Sequence, residues 1–225
     1  MKINFPVVRL LVIKDWQLFQ KQLALYVLAG FVALCFIGLG KPWAFYVGSL
    51  MLIIVLVASA CFSISTSLLV ERKDKTLAFA MSLPVSPLDF TAAKLAGNLL
   101  TFAVPFVIIL GGTVGVVLAT PLPDGLVVYS LLVFAWIAFA FAVSLAVAMS
   151  VESEGWATFA MIGSMVLINP YLMALGQVPA IQTRIAQDAI VWTPEAVGLL
   201  AVLGGLGLLV LAATAWHHAR KPAFY

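Results

Sequence analysis

Charged residues are scarce in this chain. Only 9% of its 225 residues are charged and 64% are hydrophobic, whereas a soluble domain carries roughly 25% charged residues. We therefore expect the bilayer to be its main solvent, with room for several spanning helices and none for an additional soluble catalytic domain. The net charge is +3, and the basic residues lie beside apolar runs. There they act as topology signals and as contacts for membrane lipids, so no nucleic-acid partner is expected.

Motifs for catalysis, metal binding and secretion are also missing. No GxxxxGK[ST] phosphate-binding loop occurs, so the chain is not expected to be an ATPase or another enzyme. The pairs Gly111-Gly112 and Gly204-Gly205 lie in apolar runs and are interpreted as packing sites. Cys35 and Cys61 also lie in apolar runs and are expected to be small core residues, with no metal or cofactor in this chain. No signal peptide is expected, because no small-x-small cleavage pattern follows the first apolar run.

Six apolar runs are each long enough to cross about 30 Å of hydrocarbon. They cover residues 23–40, 44–70, 95–119, 126–149, 156–175 and 196–216. Residues 3–22 are basic, aromatic and amphipathic, which predicts an interfacial helix before the first span. The predicted fold is an all-α integral membrane protein, a single transmembrane domain over residues 1–225. Asn169-Pro170-Tyr171 is expected to break the fifth span, and a short amphipathic surface helix is expected between residues 176 and 195.

The distribution of lysine and arginine predicts the orientation. Ten of the twelve lie in the N-terminal segment, in residues 71–94 or in the C-terminal tail, and only Lys41 and Arg184 fall on the other side. By the positive-inside rule, both termini and residues 71–94 are cytoplasmic. We expect a multi-pass protein of a bacterial-type inner (plasma) membrane.

Residues 71–94, ERKDKTLAFAMSLPVSPLDFTAAK, hold seven of the 21 charged residues. A short apolar helical face is ended by Pro84, and Ser86-Pro87-Leu88-Asp89 is a capping box that starts the third helix. None of the six predicted spans contains Asp, Glu, Lys, Arg or His, whereas ion-coupled carriers usually place such a residue at membrane depth. We therefore expect energy for any transport to arrive through this loop. A solvated connecting loop is the alternative.

The loop resembles a known family. Its pattern and the six spans are similar to the permease subunit of type 2 ABC exporters (ABC-2 type), and the matching residues are Glu71-Arg72, Thr76-Leu77, Ser82-Leu83-Pro84-Val85-Ser86 and Lys94. Lys75 departs from the pattern, because the family often has glycine there.

The resemblance implies a mechanism and partners. Two permease copies, or this chain and a related permease, would pair above two separate ATPase (nucleotide-binding) subunits, which would bind ATP and Mg. A cytoplasmic coupling helix between spans 2 and 3 would sit in a groove of each ATPase. The residues expected to make this contact are Glu71, Thr76, Leu77, Met81, Leu83, Pro84, Val85 and Ser86.

Only the second and fifth spans give information about the chemistry of the cargo, because these two spans line the transport path in the resembled family. Small, uncharged residues are available there: Ser59, Ser63, Thr66, Met161, Ser164 and Asn169. Such a lining suits a hydrophobic or amphipathic cargo, namely a lipid, a peptide or a drug-like molecule. Close helix packing is the alternative interpretation of the serines and threonine. The alternative functions are a haem exporter permease of cytochrome c maturation, a non-transporting membrane scaffold, and a secondary carrier or channel.

Overall fold

The structure is a computed structural model that describes residues 4–69, 86–151 and 153–219. These residues are helical, with short connections and no strand among them. The helices are α1 (Phe5–Gly38), α2 (Pro42–Ile64), α3 (Pro87–Ala119), α4 (Leu126–Ser150), α5 (Glu154–Val166), α6 (Ile168–Gln177), α7 (Pro179–Ile185) and α8 (Pro194–Ala219). The π-helical residues Ser65–Leu69 extend α2.

Six helical segments are long and apolar enough to cross a membrane. They are α1, α2 with its π-helical end, α3, α4, α5 together with α6, and α8. The all-α, multi-pass character predicted from the sequence is therefore confirmed at this level.

The first helix differs from the prediction. Residues 5–38 form one helix of 34 residues, about 51 Å long, rather than an interfacial helix followed by a separate span. No proline follows Pro6 and no glycine precedes Gly30 within it, so nothing in the backbone favours a break near residue 22. The structure thus gives no support for a separate interfacial helix.

Helices α1 and α3 pack side by side in a parallel arrangement. Four contacts join residues at an almost constant sequence separation: 15 with 94, 30 with 109, 34 with 112, and 38 with 116. Glycine permits the close approach at two of them. A Cβ atom at Gly30 would lie 2.6 Å from Ile109 Cδ1, and one at Gly112 would lie 2.5 Å from Leu34 Cδ1. The packing role predicted for Gly112 is confirmed, whereas Cβ atoms at Gly111, Gly204 and Gly205 would meet no described atom within 4 Å.

Helix α4 is the centre of the bundle. Of its most apolar 18-residue stretch, 56% is buried, against 17–44% for the other spanning segments. Its Phe141 ring stacks on Phe102 of α3, with ring centroids 4.0 Å apart. Helix α8 packs along α4 but stays largely exposed on its outer side, as does α5.

The fifth span is broken, as predicted, three residues before the proline. Helix α5 ends at Val166 and α6 starts at Ile168. A proline ring clashes with the carbonyl four residues earlier, and for Pro170 that residue is Val166. The predicted surface helix between residues 176 and 195 corresponds to α7, whose Ile181 is buried. The Thr193 side chain accepts a hydrogen bond from Ala196 N and so caps α8.

Candidate functional site: a buried polar joint between the first three helices

The candidate site lies where α1, the π-helical end of α2 and the start of α3 meet. Residues 70–85 connect the last two of these elements, so both ends of that segment enter the same region. We call the cluster formed by Asp15, Ser67, Lys94 and Asn98 the polar joint. All four residues are buried, with 1–5% of their surface exposed.

An ion pair joins α1 to α3. Lys94 Nζ lies 3.2 Å from Asp15 Oδ2, and each side chain is only 6% exposed. The exposed Lys14 approaches the other carboxylate oxygen, with its Nζ 3.3 Å from Asp15 Oδ1. Removing one partner of a buried pair leaves an uncompensated charge and is strongly destabilising. Asp15 and Lys94 therefore hold the first turns of α3 against α1.

An amide joins α3 to the end of α2. Asn98 Nδ2 donates to Ser67 Oγ at 2.6 Å and to the Lys94 carbonyl at 2.8 Å. Ser67 belongs to the π-helical turn, a geometry that is rare and frequently found at functional sites. The ion pair and this amide together tie both ends of residues 70–85 to α1.

The joint is not fully hydrogen-bonded. Asn98 Oδ1 and Thr91 Oγ1 are buried and accept no hydrogen bond from the residues that the structure describes. A buried polar atom without a partner costs about 1–3 kcal/mol.

Ser86 is the one predicted coupling residue that the structure describes. Its Oγ accepts a hydrogen bond from Asp89 N at 3.2 Å and lies 2.7 Å from Asp89 Oδ2, to which it donates. The capping box predicted from the sequence is therefore confirmed. Asp89 Oδ1 in turn accepts a hydrogen bond from Asn4 N at 2.7 Å, so the start of α3 also holds the start of α1. The other predicted coupling residues lie outside the described residues: Glu71, Thr76, Leu77, Met81, Leu83, Pro84 and Val85.

The predicted path residues do not share one environment. The hydroxyls of Ser59, Ser63 and Thr66 each donate to a backbone carbonyl of their own helix. Ser59 and Ser63 are at most 1% exposed, so within the chain they pack closely between helices. A cargo path along them stays a prediction.

The fifth-span residues of that predicted path are divided between two helices. Met161 of α5 is buried in the core. Ser164 Oγ lies 2.8 Å from Ser144 Oγ of α4, while Asn169 is exposed near the start of α6. Asn169 is therefore available to a ligand or a partner, whereas Met161 is not.

Sequence reasoning missed Asp15 and its pairing with Lys94. The signal was present, because Asp15 is the only acidic residue among the first 70, and Lys94 is the only charged residue between Asp89 and Asp124. With α1 unbroken and α3 starting at Pro87, both residues belong to helices long enough to span a membrane. Both lie outside the apolar runs 23–40 and 95–119 that are predicted as spans, in the turns of α1 and α3 that precede those runs.

Comparisons with protein-family models, with curated proteins and with solved structures find no match to this chain.

Proposed function

We propose that this chain is the membrane-spanning permease subunit of an ATP-driven exporter of the type 2 ABC class. The observation that carries the proposal is the loop motif from Glu71 to Lys94. Its last residue, Lys94, is buried in the polar joint. A force applied to residues 70–85 would therefore act at once on the end of α2 and the start of α3. Through Asp15 it would also act on α1.

The proposal includes a separate ATPase subunit bound beneath the loop. The chain has no phosphate-binding loop of its own, so ATP and Mg would be held by that partner. Residues 77–86 would form the coupling helix, with Leu83 and Pro84 at its contact with the ATPase. Two permease copies would pair. Both termini would be cytoplasmic, and the N-terminal turns of α1 would lie at the cytoplasmic interface of an inner membrane.

The proposed cargo is hydrophobic or amphipathic. Among the predicted path residues none is charged, and the described core is dominated by aliphatic and aromatic side chains. A lipid, a peptide or a drug-like molecule fits such surroundings better than a hydrophilic ion, which would lose its hydration without compensation.

The experiment is affinity purification of the full chain from membranes of its native host, followed by assay of Mg-dependent ATP hydrolysis in the eluate. We expect wild type to bring down an ATPase, and Leu83→Asp and Pro84→Asp to abolish that activity. Pro121→Asp is the matched control, because Pro121 is exposed in the turn between α3 and α4, at the opposite end of the bundle. Equal ATPase recovery with all four chains would refute the coupling role of residues 77–86. Absence of any ATPase from wild type would favour the scaffold alternative.

One observation favours a second candidate, an ion-coupled secondary carrier. The buried pair of Asp15 and Lys94 lies in helices long enough to span, and ionisable residues in such helices often belong to ion pathways. Cargo uptake into liposomes that contain this chain alone, driven by a pH gradient, would establish the carrier and exclude the ATP-driven exporter. The haem exporter permease, an alternative within the ABC class, would be recognised by haem as the cargo.

A further inference from the structure

An apolar cleft opens at the end of the bundle opposite the polar joint. It consists of two adjoining cavities of about 330 Å³ and 300 Å³, which share Phe45, Tyr46 and Leu126 in their walls. Small-molecule sites usually measure about 300–1,000 Å³, so the two cavities together are large enough for a ligand. The deeper cavity runs along α2 from Phe45 to Ile53, about 12 Å at 1.5 Å per residue.

The deeper cavity is lined almost entirely by hydrocarbon. Its apolar walls come from five helices and include Ile37, Leu52, Ile53, Val133, Phe134 and Leu172. The Thr113 hydroxyl already donates a hydrogen bond to the Ile109 carbonyl. The other polar groups in the cavity wall are the hydroxyls of Ser49, Ser130, Tyr46 and Tyr129. A polar cargo would be poorly hydrogen-bonded there, whereas an acyl chain would lose nothing.

The outer cavity has a different chemistry. Lys41, in the connection between α1 and α2, lies in its wall together with Pro42, Leu122 and Pro123. Asp124, the carboxylate that follows Pro123 in the sequence, lines neither cavity. A single ammonium group at the mouth of an apolar cleft complements a ligand with an anionic head and a hydrocarbon tail.

The position of the cleft indicates where such a ligand would come from. Tyr46 is 73% exposed at its edge, so the cleft opens sideways from a surface that faces lipid in a spanning bundle. We propose that the cleft binds a phospholipid, with one acyl chain between α2 and α4 and its phosphate at Lys41. This site is independent of the ATPase-driven function proposed above and requires only that the bundle be folded in a membrane or a detergent.

The test is native mass spectrometry of the purified full chain titrated with phosphatidylglycerol, and with a diacylglycerol that has the same acyl chains but no phosphate. We expect wild type to bind phosphatidylglycerol more tightly than diacylglycerol. Lys41→Ala should weaken phosphatidylglycerol binding about fivefold, since one basic residue near a lipid surface contributes about that factor, and should leave diacylglycerol binding unchanged. Lys21→Ala is the control, because Lys21 is an exposed lysine of α1 in the half of the helix that contains Asp15.

A second pair of variants tests the acyl-chain position. Ser49→Trp should fill the deeper cavity and weaken binding of both lipids at least tenfold. Val202→Trp, on the exposed face of α8, should not change it. Unchanged lipid binding in Ser49→Trp would overturn the proposal, and so would equal loss of both lipids in Lys41→Ala. A change of oligomeric state in Ser49→Trp without loss of lipid would assign the cleft to a second copy of the chain instead. If Ser49→Trp does not fold, the Lys41 comparison decides.

Discussion

Breaking the Asp15–Lys94 ion pair from one side should strongly destabilise the helix bundle. Both side chains are 6% exposed, so the charge that stays behind after a single substitution has little access to water. Removal of one partner from a buried pair costs about 3–5 kcal/mol. For a chain of this size 1 kcal/mol shifts Tm by about 2–4 °C, so Asp15→Leu and Lys94→Met should each lower Tm by about 6–20 °C.

The double variant carries the diagnostic result. Asp15→Leu combined with Lys94→Met replaces two charges by apolar groups of similar volume, which is often neutral or even stabilising. The loss of stability in the double variant should therefore be smaller than that in either single variant. Lys14→Met is a local control, because Lys14 is about half exposed and exposed pairs contribute less than about 1 kcal/mol.

The measurement is thermal or denaturant unfolding of each purified chain in the same detergent, followed by circular dichroism. A double-mutant cycle isolates the interaction energy of the pair. If the two single substitutions simply add in the double variant, the pair is not coupled and the polar joint is not an energetic unit. A loss of stability in Lys14→Met as large as in Lys94→Met would also refute the assignment, since it would make the exposed lysine the principal partner of Asp15.

Three further predictions use the same unfolding assay. Ser86→Ala should cost about 0.5–2 kcal/mol through loss of the α3 cap, and Ser86→Thr, which keeps the hydroxyl as acceptor and donor, should preserve most of the stability; equal losses would contradict a capping role. Gly30→Ala should destabilise by about 1–3 kcal/mol through overpacking against the buried, β-branched Ile109, whose Cδ1 and Cγ1 would lie 2.6 and 2.7 Å from the new Cβ, while Gly111→Ala, which meets open space, should be neutral or stabilising. Asn98→Leu should cost about 1–3 kcal/mol because Ser67 loses its donor, and a neutral result would show that this hydrogen bond does not hold α2 to α3.

Sequence patterns predicted the elements of this fold better than their extents. Apolar runs located all six spanning segments, and short-range chemistry marks their starts: Ser86 caps α3 as predicted, and Thr193 caps α8. These signals act between residues within one helical turn, so they can be recognised from the sequence alone. The length of α1 was not predicted, because the change from an amphipathic to an apolar pattern near residue 22 resembles an element boundary although the backbone continues.

The candidate site was predictable only in part, for a related reason. Lys94 belongs to the loop motif recognised from the sequence, but its partner Asp15 is 79 positions away. Asn98 and its partner Ser67 are 31 positions apart. Nothing local specifies such pairings, which arise when α1 and α3 pack in parallel. A lone acidic residue in a long apolar region is nevertheless a usable signal, because a buried carboxylate requires a cationic partner. Lys94 is the only lysine or arginine of the third helix, so counting charges alone identifies it as the candidate partner in that helix.

The parallel packing of α1 and α3 connects the two ends of the bundle. From Lys94 to Val117, which lines the cleft, α3 rises about 35 Å, and α1 accompanies it through the contacts at Gly30, Gly112 and Gly38. Close packing of this kind transmits displacement rather than absorbing it, because interiors at crystal-like density have little room to deform.

If residues 70–85 receive force from an ATPase, the α1–α3 pair would therefore move as a unit and alter the walls of the cleft. Disturbing that contact while leaving the polar joint intact, as in Gly30→Ala, should uncouple the two ends. ATPase binding would then persist while any ATP-dependent change in phosphatidylglycerol binding is lost. Persistence of that change in Gly30→Ala would show that the signal travels by another pair of helices.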